Sequence, residues 1–184
     1  MGQPIQLTFI LAQVAGILTM ICAILSVQLR DIRKILIGAI ISNLLTVANY
    51  ALLGSFSGAW VCVLAIAQTI CIYFYTRRGA KFPWRINLLF MLGYTGLAAL
   101  SFRGAIDLLP WACALLYAME VAQEDSKHYR RFALLNSALW LVYDLFTQAY
   151  TMSLTHAFLV ISIITAMIRL DRAPRAPGGG DSSK

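Results

Sequence analysis

The side chains that could do chemistry are few, and most of them interrupt long apolar runs. Asn43 and Asn136 each stand inside such a run. An amide offers both donors and an acceptor, so the pair could hold a polar solute, or could serve as interhelical glue. Asn49 and Gln68 have the same two readings. Asp144 is a carboxylate several residues inside an apolar boundary, where charge is expensive unless it is protonated, paired or wet. It could bind a proton or a cation, or pair with Arg103 or His156. His156 could titrate near neutral pH, or sit wet at the outer mouth. Trp140 could stack on a sugar ring or simply pack, and Ser162 and Thr165 are the nearest polar groups in the last apolar run. Glu120 reads as pairing with Lys127 or Arg130. No phosphate loop, Cys/His pair, Ser/His/Asp set or metal-spaced histidines occur, so neither an enzyme nor a cofactor or metal site is expected.

What must position these residues is a membrane. In 184 residues, 60% are apolar and only 12% charged, and the mean hydropathy is +0.73. A soluble domain of this size needs more polar surface. A hydrocarbon core about 30 Å thick takes roughly 20 apolar residues per helix, so the chain has length for about seven spans. The fold class expected is all-α, polytopic, with spans near 7–27, 35–53, 59–75, 86–102, 108–120, 132–150 and 154–168. All four cysteines, Cys22, Cys62, Cys71 and Cys113, lie within apolar runs and read as small core residues. No basic residue precedes the first run, so a cleaved signal peptide is not expected.

The basic residues test the spans independently, because Lys and Arg collect in short cytoplasmic loops. Of the 15, only Arg103 falls on the sparse side; the rest lie in the first, third and fifth loops and at the C-terminus. This predicts an odd number of crossings, with the N-terminus outside and the C-terminus in the cytoplasm. It also explains the net charge of +7 without nucleic acid. The expected organisation is one transmembrane domain over 1–172, with a first three-helix repeat at 7–78, a linker helix at 83–103, a second repeat at 106–172, and a disordered cytoplasmic tail at 173–184. An odd linker leaves both triplets with the same orientation, the parallel repeat of some transporters. Pro110 opens the second repeat where a proline frees backbone groups; it could act as a hinge, with Gln13 its counterpart in the first, or only kink its helix.

Asp107, Leu108, Leu109 and Pro110, then Arg130, Arg131, Asn136 and Trp140, and the closing run 158–169, together resemble the YgjV-type bacterial inner-membrane family over nearly the whole chain. The helix plan is in turn similar to the SWEET and PQ-loop superfamily. That resemblance implies a bacterial inner-membrane protein that moves a small polar solute by alternating access, in contact with lipid and able to form homo-oligomers. The alternative it implies is a non-transporting adaptor or receptor. The paired asparagines that SWEET-like proteins take from the third helix of each unit have no match here, Gln68 and Thr69 standing nearest in the first.

Overall fold

The computed structural model describes residues 3–54, 56–102, 104–146 and 150–171. Arg103 and the tail at 173–184 lie outside the described residues. Among those described there are seven α-helices and no strand: α1 (Gln3–Val27), α2 (Ile32–Leu52), α3 (Phe56–Arg77), α4 (Trp84–Ser101), α5 (Leu108–Val121), α6 (Ser126–Phe146) and α7 (Tyr150–Ala166). A 3-10 turn (Ala105–Asp107) leads into α5, and a π-helical turn (Met167–Asp171) closes α7. Asp31 caps α2 by accepting the Arg33 N–H at 2.9 Å, as a short acceptor before a helix should. α3 ends where Gly79 takes a left-handed φ of 67°. There the Ala80 N–H reaches back to the Tyr75 carbonyl at 3.0 Å, a backbone reversal that a Cβ would strain.

Four helices, at Leu7–Val27, Ile32–Leu52, Ala59–Arg77 and Met152–Asp171, are long and apolar enough to cross a membrane. The other three described helices do not meet that test, and α6 departs most from the bounds expected. α5 has 14 residues, about 21 Å at 1.5 Å per residue, short of a full hydrocarbon core. α6 begins at Ser126, six residues before the expected start, so Lys127, Arg130 and Arg131 belong to the helix and not to a loop.

Packing follows the chain. α1 runs along α2 and α2 along α3; α5 runs along α6 and α6 along α7; α1 meets α7, and α4 lies against α3 and α5. The α1–α2 seam is close because Gly38 faces Ser26: a Cβ on Gly38 would lie 2.7 Å from Ser26 Cβ and nearer still to its hydroxyl. Small residues allow this backbone approach where lipid gives helices no hydrophobic reason to associate. The main apolar core gathers Val27, Ile35, Leu36, Ile72, Val121, Tyr129, Ala133 and Ile163 at the end where the basic residues lie, and a smaller one joins Ala65, Tyr94 and Ala118.

The outer surface inverts a soluble protein. Leu89, Leu100, Trp60, Ile161 and Phe146 are exposed, whereas Gln68, Thr69, Asn87, Asn136, Glu120, Arg130 and Asp144 are buried. Hydrocarbon tolerates the first set and penalises the second unless they meet each other.

Candidate functional site

Three polar groupings occupy the interior. The first is built on α5. Tyr117 receives an Asn43 Nδ2 donor from α2 at 2.9 Å, and its hydroxyl lies 2.9 Å from Thr69 Oγ1 on α3. Three residues further along α5, which is one turn and hence the same face, Glu120 Oε2 accepts from Asn136 Nδ2 of α6 at 3.1 Å. Tyr129 of α6 is buried beside this carboxyl. Asn43 and Asn136 therefore do not meet directly. Each meets α5, at Tyr117 and at Glu120, so the short helix carries a polar line between α2–α3 on one side and α6 on the other. Asn136 Oδ1 is buried without a hydrogen-bond partner among the described residues, an acceptor open to a donor that is not part of the chain.

Glu120 does not pair with Lys127 or Arg130. Arg130, 1% exposed, turns the other way: its Nε donates to the Val27 carbonyl at 2.9 Å, Nη1 to Asp171 Oδ1 at 2.6 Å, and Nη2 to the Leu29 carbonyl. One guanidinium thus ties the end of α1 to α6 and to the turn after α7. Five donors in a planar fork make arginine suited to such a junction.

The second grouping centres on Gln68, and its Asn87 Nδ2 is buried without a hydrogen-bond partner among the described residues. Gln68 of α3 donates to Asn87 Oδ1 at 2.8 Å and to the Ala118 carbonyl at 3.2 Å, while its Oε1 accepts from Tyr94 at 2.9 Å. α4 contributes both Asn87 and Tyr94, so it is bolted to α3 and α5 by this one amide. The third lies toward the opposite end of α6. Asp144, 4% exposed, has an oxygen 2.6 Å from His156 Nδ1 of α7. The imidazole stacks on Trp140, centroids 5.9 Å apart and planes 7° off parallel, and Trp140 meets Tyr143 edge-on. His156 is one of the two partners weighed for Asp144; the other, Arg103, lies outside the described residues.

The remaining sequence candidates fall elsewhere. Asn49 donates to the Ala12 carbonyl of α1 at 2.5 Å, joining α1 to α2. Ser162 of α7 accepts from Gln28 Nε2 at 2.7 Å, and Arg169 holds the other end of that glutamine at 2.9 Å. Thr165 is exposed and bonds its own helix at Ile161, and Gln13 is exposed on α1. Pro110 is the third residue of α5. In that first turn N–H groups have no intrahelical partner, so the proline removes no bond.

Sequence reading missed Tyr117, Tyr94, Asn87 and Arg130. Each is a residue whose role depends on helix rotation, yet α6 held a signal. Tyr129, Ala133, Asn136 and Asp144 are all buried and recur at helical spacing, which carries the helix back through its basic residues.

Comparisons with curated proteins and with solved structures return no match. A family described as bacterial inner membrane protein, Imp-YgjV, matches residues 10–174. That span contains every buried polar residue described above, and its description agrees with a polar interior wrapped in exposed apolar side chains: the chain belongs to the Imp-YgjV family of bacterial inner membrane proteins.

Proposed function

We propose that the protein transports a small polar solute, a sugar or a metabolite of similar chemistry, by alternating access between two three-helix units, α1–α3 and α5–α7, with α4 as linker. The observation that carries this reading is the polar line on α5, where Tyr117 meets Asn43 and Glu120 meets Asn136. It lies where the two units face each other, and its hydroxyl, amide and carboxyl groups can exchange their mutual bonds for bonds to a solute. Midplane sites between parallel repeats work in this way. Asp144, with His156 and Trp140, would form an outer vestibule able to take a proton or cation and to stack a ring. Asn49, Gln68, Ser162 and Thr165 would be positioning residues of the same machine, and Pro110 and Gln13 would mark where the first helix of each unit yields. On this reading the protein is not an enzyme, needs no cofactor, keeps its basic loops in the cytoplasm, and can work as a homo-oligomer in the SWEET-like manner.

A second reading has its own support. Gln68 makes three bonds within the protein, and such saturation suits a rigid receptor or adaptor. Cysteines placed at 43, 136 and 144 in a background lacking the native four separate the two. Labelling that switches sides when solute is added supports transport, and permanent access from one side supports a receptor. Proteoliposomes that move none of a panel of sugars, amino acids and small ions would overturn the first reading.

A further inference from the structure

We propose that the groove between α6 and the end of α7 is a binding site for an anionic phospholipid, phosphate at its mouth and acyl chain along its floor. The groove has a volume of about 420 Å³ and is lined by Lys127, Arg131, Leu134, Ile164, Met167, Ile168 and Asp171. One of its walls is a single helix face. Lys127, Arg131 and Leu134 follow one another on α6 at spacings of four and three residues, which places them on one stripe, and Ile164, Met167, Ile168 and Asp171 face them from the end of α7 and its π-helical turn. Because α6 starts where α7 ends, the two charged ends lie together and the two apolar ends lie together. Lys127 and Leu134 are seven residues apart, about 10 Å along the helix axis, the distance over which a lipid passes from phosphate to hydrocarbon.

The charge at the mouth is unspent. Asp171 pairs through Oδ1 with buried Arg130 at 2.6 Å, and its Oδ2 is itself buried, without a hydrogen-bond partner among the described residues, so the carboxylate is held away from the mouth. Lys127 and Arg131 are exposed, and neither has an ion-pair partner among the described residues. Two free cations above four apolar side chains fit a phosphodiester carrying a hydrocarbon chain, as basic pockets at the ends of membrane helices do. A water-soluble phosphate would leave Leu134, Ile164, Met167 and Ile168 unused.

The test uses the purified full chain in mild detergent, with phosphatidylglycerol added and bound lipid counted by native mass spectrometry alongside thermal stabilisation. Phosphatidylglycerol is expected to stabilise the protein and phosphatidylcholine is not. Lys127→Gln or Arg131→Gln should weaken phosphatidylglycerol about five-fold each and together roughly 25-fold. Ile164→Trp, which fills the floor, should weaken it as well. Removing two exposed charges at the same end of the molecule, Arg33→Gln with Arg78→Gln, should leave the effect nearly intact. Equal loss in that control pair, equal stabilisation by phosphatidylcholine, or competition by glycerol phosphate at concentrations like those of the lipid would each overturn the proposal.

Discussion

Replacing Arg130 with methionine should be the most damaging single change at the basic end of the molecule. The side chain is 1% exposed and holds three acceptors at once: the Val27 and Leu29 carbonyls and the Asp171 carboxylate. Methionine fills much of the same volume, so the loss is electrostatic and not a cavity. What remains is a carboxylate with a side chain only 9% exposed and two carbonyls, one in the last residue of α1 and one just past it, without their donor. Breaking a buried pair from one side costs about 3–5 kcal/mol, because the surviving charge stays buried. For a chain of this size each kcal/mol shifts the midpoint by roughly 2–4 °C, so a fall of about 6–20 °C is expected. Thermal unfolding of the full chain in a single detergent, followed by tryptophan fluorescence, measures it. Arg130→Met with Asp171→Asn removes the stranded charge and should recover part of the loss, a coupling of about 0.5–3 kcal/mol. A midpoint within about 2 °C of wild type for the single variant, or a double variant whose losses add, would refute the junction.

The same assay reaches other seams. Gln68→Leu strands Asn87 Oδ1, the Ala118 carbonyl and the Tyr94 hydroxyl in a dry interior at about 1–3 kcal/mol for each unmade bond, and should lower the midpoint as much as any change around α4; an unchanged midpoint would mean α4 is held otherwise. Gly38→Leu drives a side chain into Ser26 and should cost about 1–3 kcal/mol or more through overpacking, whereas Gly96→Leu, with open space beside it, should be neutral; similar losses for both would discredit the close α1–α2 contact. His156→Ala removes the imidazole 2.6 Å from buried Asp144 and is expected to destabilise by about 1–3 kcal/mol for the lost hydrogen bond, with Asp144→Asn restoring part of it; no rescue would show that the pair is not coupled.

Much of the fold was legible because the bilayer leaves helices little choice. Apolar runs and basic loops place six of the seven helix starts within a few residues of those observed. The exception is α6. Its first turn is polar, and a rule that assigns arginine and lysine to loops cuts the helix short by the segment that holds Arg130. α5 was expected at 108–120 and is found at Leu108–Val121; what the sequence did not show is the 3-10 turn before it. Among the candidate residues, the rule that membrane amides face inward placed Asn43, Asn49, Gln68 and Asn136 against neighbouring helices, and the cost of intramembrane charge did the same for Asp144, as observed. Apart from His156 for Asp144, partners were not legible. Tyr117 and Tyr94 look like ordinary aromatic residues of apolar runs, and Asn87 looks like a boundary residue of a linker, until rotation about α4 and α5 points them at Gln68 and Asn43.

The interior polar groups then divide by how they are satisfied, and the division bears on function. Gln68 uses its carbonyl and two donor contacts on three different partners, so any solute would have to outbid bonds that already hold α3, α4 and α5 together. Asn136 is the opposite case: its amide nitrogen has Glu120, and its carbonyl oxygen, buried, has no partner among the described residues. An acceptor left so in a protein interior costs about 1–3 kcal/mol, a cost a bound donor would remove. Tyr117 stands between these extremes, since a single hydroxyl serves both Asn43 and Thr69 and can release one without losing the other. If a solute enters, the physical expectation is that it binds from Asn136 toward Tyr117, along the face of α5, while Gln68 itself keeps its three bonds and only Asn87 Nδ2 beside it lacks a partner among the described residues. Tyr117→Phe should therefore weaken solute binding with only a small loss of stability, and Gln68→Leu should do the reverse; finding both effects at Gln68 would move the site to α4.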